Sequence, residues 1–240
     1  VGGEMKKNAG KKKVVLELGG NAACIISDSA NLKKAIEKCI IGGYAYSGQV
    51  CIHTQRIYIH ESLYNLFVKD FIKKMGILKN GDPLKSTTDI SIMIDKKNAI
   101  RVENWINEAR KKGAKILFGG KRKKSYIEPT LISGTNKNMK VNSEEVFGPV
   151  VVVEKYKTLS EAIKMVNDTS FGLQAGIFTN RQNEIKQAFE EIEAGSVIVN
   201  DTPTFRVDNM PYGGIKDSGL GREGVKYAIL DMMEPKLLVQ

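Results

Sequence analysis

Two residues of this 240-residue chain stand where covalent chemistry would need them. Glu17 closes a short β-branched run, Lys13–Leu18, and is followed by Gly19 and Gly20. Cys51 ends the segment Ser47-Gly48-Gln49-Val50-Cys51, a loop with the exposure a nucleophile requires. A thiolate can add to a carbonyl carbon, and a carboxylate can activate either the thiol or a water. For an aldehyde, this pair covers the protein's own share of an oxidation: attack by the thiolate, loss of hydride from the thiohemiacetal, and hydrolysis of the thioester. A lone cysteine is ordinarily packing, and Cys24 and Cys39 read that way, one in a strand pattern and one on an apolar helical face. The Ser-Gly-Gln before Cys51 and the glutamate upstream reverse that reading for Cys51. An odd count of three cysteines is no disulfide framework. With two histidines and no Cys-x-x-Cys, a zinc site is not expected, and His53 and His60 read as polar groups flanking a strand.

The elements that must position this pair alternate along the chain. Ala22–Ser27, Arg56–Ile59, Lys115–Phe118, Val150–Tyr156, Gln174–Phe178 and Ser196–Asn200 read as strands. Between them lie helical patterns: one capped by Asp28 or Ser29 with Leu32, Ala35, Ile36 and Cys39 on its apolar face, then Ser62–Met75, Lys97–Lys112, Ser160–Asp168 and Arg181–Glu193. In Ser62–Met75, Ser62 is the expected cap, and Leu63, Leu66, Phe67 and Phe71 fall on one face. The alternation predicts an α/β fold: a mainly parallel sheet with helices on both faces. Glu17 would then face the crevice at the C-terminal ends of the strands. No Gly-x-Gly-x-x-Gly follows the early strands, so no complete dinucleotide-binding unit is visible.

The charge is +10, from 37 basic and 27 acidic residues, but the lysines are dispersed and the runs at Lys11–Lys13 and Lys121–Lys124 fall in expected loops. That is solvated surface rather than the clustered footprint of a nucleic-acid binder. There is no apolar run of membrane-spanning length and no apolar stretch near the start that would serve as a secretion signal. A cytoplasmic setting is expected. A first residue of Val points to a chain trimmed at its start or cut from a longer one.

Leu16-Glu17-Leu18-Gly19-Gly20-Asn21 and Ser47-Gly48-Gln49-Val50-Cys51 together resemble the two signatures of the aldehyde dehydrogenase superfamily. Four further segments follow in that family's order: 144–150 (EEVFGPV), 167–173 (NDTSFGL), 195–200 (GSVIVN) and 211–223 (PYGGIKDSGLGRE). The resemblance spans nearly the whole chain and implies its catalytic, C-terminal half. It makes Cys51 the nucleophile, with its backbone N–H as half of an oxyanion hole, and Glu17 the general base. Glu145 would bind the nicotinamide ribose and Phe147 would line the nicotinamide pocket, with Leu18 and Gly19 approaching through their backbone. Val1-Gly2 resembles the end of a segment that meets the pyrophosphate at a helix N-terminus. The Gly-Ser of that segment, the Asn completing the oxyanion hole and a ribose-contacting Lys belong to a half absent from this sequence, so the chain is not expected to turn over by itself.

The implied cofactor is NADP or NAD. The implied substrate is a small hydroxylated or phosphorylated aldehyde, because Tyr44, Tyr46, Ser47 and the Thr202–Met210 loop resemble lactaldehyde and non-phosphorylating glyceraldehyde-3-phosphate dehydrogenases. Arg206 in that loop could hold a distal phosphate through two parallel hydrogen bonds, with Tyr212 and Tyr46 also lining the substrate site. A cofactor-independent thiol esterase or acyl-transfer fragment is the rival reading, and a non-catalytic scaffold a third. Residues 1–18 are expected to be the remnant of a cofactor-binding domain, 19–219 the catalytic domain, and 220–240 a tail with an oligomerisation strand. A homodimer or homotetramer follows, with no nucleic acid or membrane partner.

Overall fold

The computed structural model describes residues 1–240. The first half runs α1 (Gly2–Asn8), β1 (Leu16–Glu17), β2 (Ala22–Ile26), α2 (Leu32–Tyr44), β3 (Thr54–His60), α3 (Glu61–Met75), α4 (Lys96–Lys111), β4 (Lys115–Phe118), β5 (Arg122–Lys123) and β6 (Tyr126–Ile127). The second half runs β7 (Thr130–Ser133), α5 (Lys140–Ser143), β8 (Val150–Tyr156), α6 (Leu159–Asn167), β9 (Phe171–Gly172), β10 (Gln174–Phe178), α7 (Gln182–Glu191), β11 (Ser196–Val199), β12 (Ile215–Lys216), β13 (Gly219–Leu220) and α8 (Val225–Asp231). Seven strands form one sheet in the order β11-β10-β2-β3-β8-β7-β4, parallel throughout except for β4 against β7.

Both faces of the sheet are covered, and the period of two along each strand sorts the core. Cys24, Ile26, Ile57, Ile59, Val151 and Val153 point to the face under α2 and α3, where Ile36, Cys39, Phe67 and Phe71 meet them. Ala23, Ile25, Tyr58, Ala175 and Ile177 point to the other face, under α6 and α7. Val150, Val152 and Ile132 pack beneath α4, against Val102 and Ile106. Burial on both sides explains why β2 is a continuous apolar run rather than an alternating one. Cys24 and Cys39 are both buried packing, as expected.

Several local expectations are corrected. The strand expected over Lys13–Leu18 shrinks to Leu16–Glu17, which leaves the main sheet and pairs antiparallel with Gly219–Leu220. This ribbon joins the segments on either side of the expected boundaries at residues 18 and 219. Asn31, not Asp28 or Ser29, caps α2, its side chain accepting from the Lys34 N–H. Asp28 and Ser29 are instead engaged with Arg181 and Thr179. His60 replaces Ser62 as the cap of α3, with Nδ1 accepting from the Ser62 N–H. Leu66 is half exposed, so the buried stripe of α3 is Phe67, Phe71 and Met75. The helix expected over Arg181–Glu193 is Gln182–Glu191. Glu234–Gln240 is exposed and forms no strand within the chain.

No helix is long and apolar enough to cross a membrane.

Candidate active site

The placement of the motif segments overturns one expectation. Asn21 immediately precedes β2, Cys51 precedes β3, the Glu145–Phe147 loop precedes β8, and Leu173 precedes β10. These four strands are neighbours in the order β10-β2-β3-β8. The site therefore lies at the N-terminal ends of the parallel strands, not at the C-terminal crevice where Glu17 was expected to face. Glu17 reaches it from outside the sheet, on the β1–β13 ribbon.

Cys51 is partly exposed and packs with Ile52, Leu173 and Tyr212. Its Sγ lies 3.2 Å from the Tyr212 hydroxyl. The Cys51 N–H donates to no group of the chain, so it is free to bind an oxyanion. The next residue after Tyr212, Gly213, sits under Glu17: a Cβ there would come within 3.0 Å of Oε1. Consecutive residues of one loop thus touch the thiol and the carboxylate. Both Glu17 oxygens are buried and accept no hydrogen bond. Burial and the Glu223 carboxylate push the Glu17 carboxyl above its ordinary range, and Arg206 and Arg222 partly oppose them. An unpaired carboxylate raised in this way is a stronger base than a solvated one.

Two glycines before β2 are required by close approach. A Cβ on Gly20 would collide with the Cys51 carbonyl oxygen, and one on Gly19 would fall 2.5 Å from Glu145 Oε2. Glu145 Oε1 accepts the Gly20 N–H at 2.8 Å, while Oε2 accepts nothing from the chain. Burial raises the Glu145 carboxyl, with the Gly20 N–H and Arg101 opposing. Phe147, two residues on, adopts a left-handed conformation with φ 46° and leaves its side chain 38% exposed. A free carboxylate oxygen beside a glycine cradle, with an exposed aromatic on the same loop, fits a nicotinamide riboside. Gly2, at the start of α1, packs on Leu18, where a Cβ would meet Cδ2 at 2.6 Å, so the structure brings Val1-Gly2 to the Leu18–Gly19 segment. Val1 itself is fully exposed.

The loop before Cys51 is strained. Tyr46, Ser47 and Gly48 are left-handed in succession, with φ 53°, 56° and 69°. Non-glycine residues there cost on the order of 1 kcal/mol or more each. Ser47 Oγ holds the loop by accepting the Ser91 N–H at 2.9 Å and donating to the Ser91 carbonyl at 3.1 Å. Tyr46 is 82% exposed and has no hydrogen bond to Cys51. It shares an open cavity of about 1180 Å³ with Phe147, Gln49 and Ile94. Arg206 lies over the Tyr212 ring, 4.0 Å from its centroid, with NH2 3.1 Å from Glu223 Oε2. It therefore stands at the mouth of the site rather than pointing away from it.

Sequence reasoning missed the residues that hold these loops. Asn21 donates to the carbonyls of Asn142 and Glu144, and Gln55 to those of Val141 and Glu144. Gln55 Oε1 also accepts the Val146 N–H, so the Glu145 loop is fastened to β3 on both sides. Arg56, fully buried with no carboxylate partner, donates to the Asn21, Met165 and Val166 carbonyls. The signal was present in outline: Thr54, Gln55 and Arg56 open a buried strand with three polar residues in a row. His53 is buried with Nε2 on the Gly43 carbonyl, and burial lowers it to about 4, so it is a neutral packing group.

The 3-sulfolactaldehyde dehydrogenase of Priestia aryabhattai is 46% identical over 239 residues, 100% of this chain and 50% of that protein. Aldehyde dehydrogenase 21 of Physcomitrella patens, in complex with the reaction product succinate, matches with TM-score 0.98 and 49% identity, over 100% of this chain and 50% of that one. Glyceraldehyde-3-phosphate dehydrogenase GapN of Methanocaldococcus jannaschii, complexed with NADP, matches with TM-score 0.93 and 40% identity, over 96% of this chain and 50% of that one. The chain spans about half the length of the relatives it matches. The aldehyde dehydrogenase family's sequence profile matches residues 1–238, and the chain belongs to that family.

Proposed function

We propose that the whole protein carrying this chain oxidises a small aldehyde with a distal anionic or hydroxyl group to its carboxylic acid, using NADP or NAD, in the cytoplasm. One observation carries the reading: a partly exposed thiol and a buried, unpaired carboxylate are held by adjacent residues of one loop, Tyr212 and Gly213.

Cys51 Sγ, as thiolate, forms a bond to the aldehyde carbon, and the carbonyl pair moves to oxygen, where the Cys51 N–H receives it. A bound nicotinamide would supply the hydride acceptor for that carbon. Glu145 Oε2 would accept from its ribose, Phe147 would shield its ring, and the backbone of Leu18 and Gly19 would border it. Val1, at the opening of α1, would face its pyrophosphate. The thioester left on Cys51 is hydrolysed by a water whose proton goes to Glu17. The raised Glu17 carboxyl suits a group that must take up that proton.

The substrate's far end meets Arg206, Tyr212 and Tyr46. An anionic tail would replace Glu223 as the partner of Arg206. The three relatives support this choice: sulfolactaldehyde, succinate and glyceraldehyde 3-phosphate carry a sulfonate, a carboxylate and a phosphate. Residues 1–18 are read as the end of the cofactor-binding domain, 19–219 as the catalytic domain and 220–240 as a tail. The exposed apolar Leu237, Leu238 and Val239 of that tail would pair with another copy in a dimer or tetramer.

The test is reduction of NADP and NAD by the whole protein with lactaldehyde, glyceraldehyde 3-phosphate and 3-sulfolactaldehyde. Aldehyde-dependent absorbance of the reduced cofactor is expected with at least one of them, and none in Cys51→Ala. Absence of reduction with all three, or reduction that survives in Cys51→Ala, overturns the reading.

A further inference from the structure

Tyr212 makes a contact that substrate binding alone does not require. It is 2% exposed, wedged against Ile52 and Leu173, and its hydroxyl has a single hydrogen-bond partner, Cys51 Sγ at 3.2 Å. We propose that Tyr212 is a catalytic residue whose hydroxyl donates a hydrogen bond to the Cys51 thiolate, holding the sulfur charged and fixed in position for attack. This rests on the reading of Cys51 as the nucleophile.

The chemistry of the contact favours the charged sulfur. A neutral thiol is a weak acceptor, so a buried hydroxyl facing only a thiol is poorly paired. Ionisation of the thiol turns the same contact into a charge-assisted hydrogen bond, a gain that belongs to the thiolate alone. The direction of donation is settled by the phenol. Burial, with Cys51 and Glu17 adding to it, pushes the Tyr212 hydroxyl well above the ordinary phenol range, so it keeps its proton.

The charges around the contact show why a donor is needed. Glu17 faces it from the β1 ribbon, and its carboxylate opposes a second negative charge there. Arg206 lies over the Tyr212 ring but is paired with Glu223, and Arg222 donates to the Gly214 and Gly221 carbonyls. His53, two residues from Cys51, is occupied by the Gly43 carbonyl. No lysine, arginine or histidine hydrogen-bonds to Cys51, and Tyr212 is its sole side-chain partner. The ring is held rigidly, because Tyr212 and Glu223 exchange both backbone hydrogen bonds, at 3.0 and 2.6 Å. A guanidinium over the ring also draws electron density from the phenol and strengthens its O–H as a donor. When the sulfur–carbon bond forms, the sulfur becomes neutral and the negative charge moves to the substrate oxygen. The phenol proton stays on Tyr212 throughout.

The experiment is Tyr212→Phe in the whole protein, which removes one oxygen and keeps the ring under Arg206. Alkylation of Cys51 by iodoacetamide is followed by peptide mass spectrometry across pH. At pH 6 the variant is expected to react about tenfold more slowly, the equivalent of one weak charge-assisted hydrogen bond. Above the ordinary thiol range the two rates converge or cross, since an unbonded thiolate is the better nucleophile. Coincident rates at every pH overturn the inference, and so does a uniform slowing at every pH, which would reflect access. Loss of aldehyde oxidation in Cys51→Ala with coincident alkylation profiles removes this inference alone. Oxidation surviving in Cys51→Ala removes the reading of the site beneath it.

Discussion

The two edges of the seven-stranded sheet carry similar residue types in opposite states. At the C-terminal edge, β2 leads through α2 to β3 on one side and β10 through α7 to β11 on the other. The gap between those directions is the crevice where open α/β sheets bind ligands, and here it is filled. Ser27 and Thr179 both donate to Glu184, and Ser29 bonds to Thr179. Arg181 grips Asp28 at 2.5 and 2.9 Å, its hydrogen bond holding that carboxyl down at about 2. At the N-terminal edge, Glu17 has no partner for either oxygen, Glu145 keeps one oxygen free, and Tyr46, Ser47 and Phe147 are left-handed. Polar groups that satisfy one another stabilise the fold; groups left raised, unpaired or strained are available for chemistry.

This contrast breaks if substitutions at the two edges do the same thing. The largest separation is expected for Cys51→Ala, which should lower aldehyde oxidation by on the order of 10⁴-fold or more while cofactor still quenches or enhances fluorescence on titration. Residual turnover within about tenfold of the parent would place the nucleophile elsewhere.

Glu17→Gln comes next. Its steady-state rate should fall by roughly 10²–10⁴, with a stoichiometric burst of reduced cofactor remaining in stopped flow if acylation is spared. The parent's rate should also drop as pH is lowered through the raised carboxyl. Stability should move the opposite way. A folded carboxyl raised above its unfolded value contributes stability below the unfolded value of 4.5 and loses it as pH rises through the folded one. Glu17→Gln should therefore melt higher than the parent at pH 7 and no higher at pH 4. A variant of equal or lower melting temperature at pH 7 would show that the buried charge costs nothing.

Arg206→Ala tests the mouth of the same edge. A lost charge-assisted contact of about 1.5–3 kcal/mol corresponds to a rise in KM of roughly 10- to 150-fold for glyceraldehyde 3-phosphate. A plain aliphatic aldehyde should be nearly unaffected. Equal changes for both substrates would reduce Arg206 to support of the Tyr212 loop.

The smallest effect on the reaction belongs to the filled edge. Glu184→Ala leaves the Ser27 and Thr179 hydroxyls without their shared acceptor and should cost about 1–3 kcal/mol of stability in chemical denaturation. Turnover should remain that of the parent. Burial pushes the Glu184 carboxyl up, but hydrogen bonds from Ser27, Thr179 and Arg181 more than offset this and leave it low. The stability it contributes is therefore present above 4.5 and lost as pH falls through the lower folded value. Loss of activity without loss of stability in this variant would collapse the distinction between the edges.

Much of this was legible in the residues. β2 and β8 announced themselves as apolar runs, because a strand buried on both faces needs no polar phase. Cys51 and Glu17 could be singled out by residue type and neighbouring glycines, whereas Glu145 and Phe147 were named only through the resemblance of their segment to a family motif; the structure adds that Gly19 lies against Glu145 and Gly20 against Cys51. β7, Thr130–Ser133, went unseen because it follows the short β5 and β6 with no helix between, so the strand–helix alternation did not mark it. The β1–β13 ribbon went unseen because its partners stand some two hundred residues apart. The caps were misplaced because Asp28 and Ser62 are good capping types, and only the chain's path showed Asn31 and His60 in position to accept.

By itself, the sequence determined the residue types that can do chemistry, the alternation of strands and helices, and the glycines without which the loops could not meet. Those are local properties, set by side-chain chemistry and by period. Only the tertiary structure decided which end of the sheet holds the candidate site, which groups lack partners, and that Tyr212 reaches Cys51. Strand order and direction are global properties of the packed chain. A carboxylate is left unpaired or made a brace according to what surrounds it in space, as Glu17 and Glu184 show.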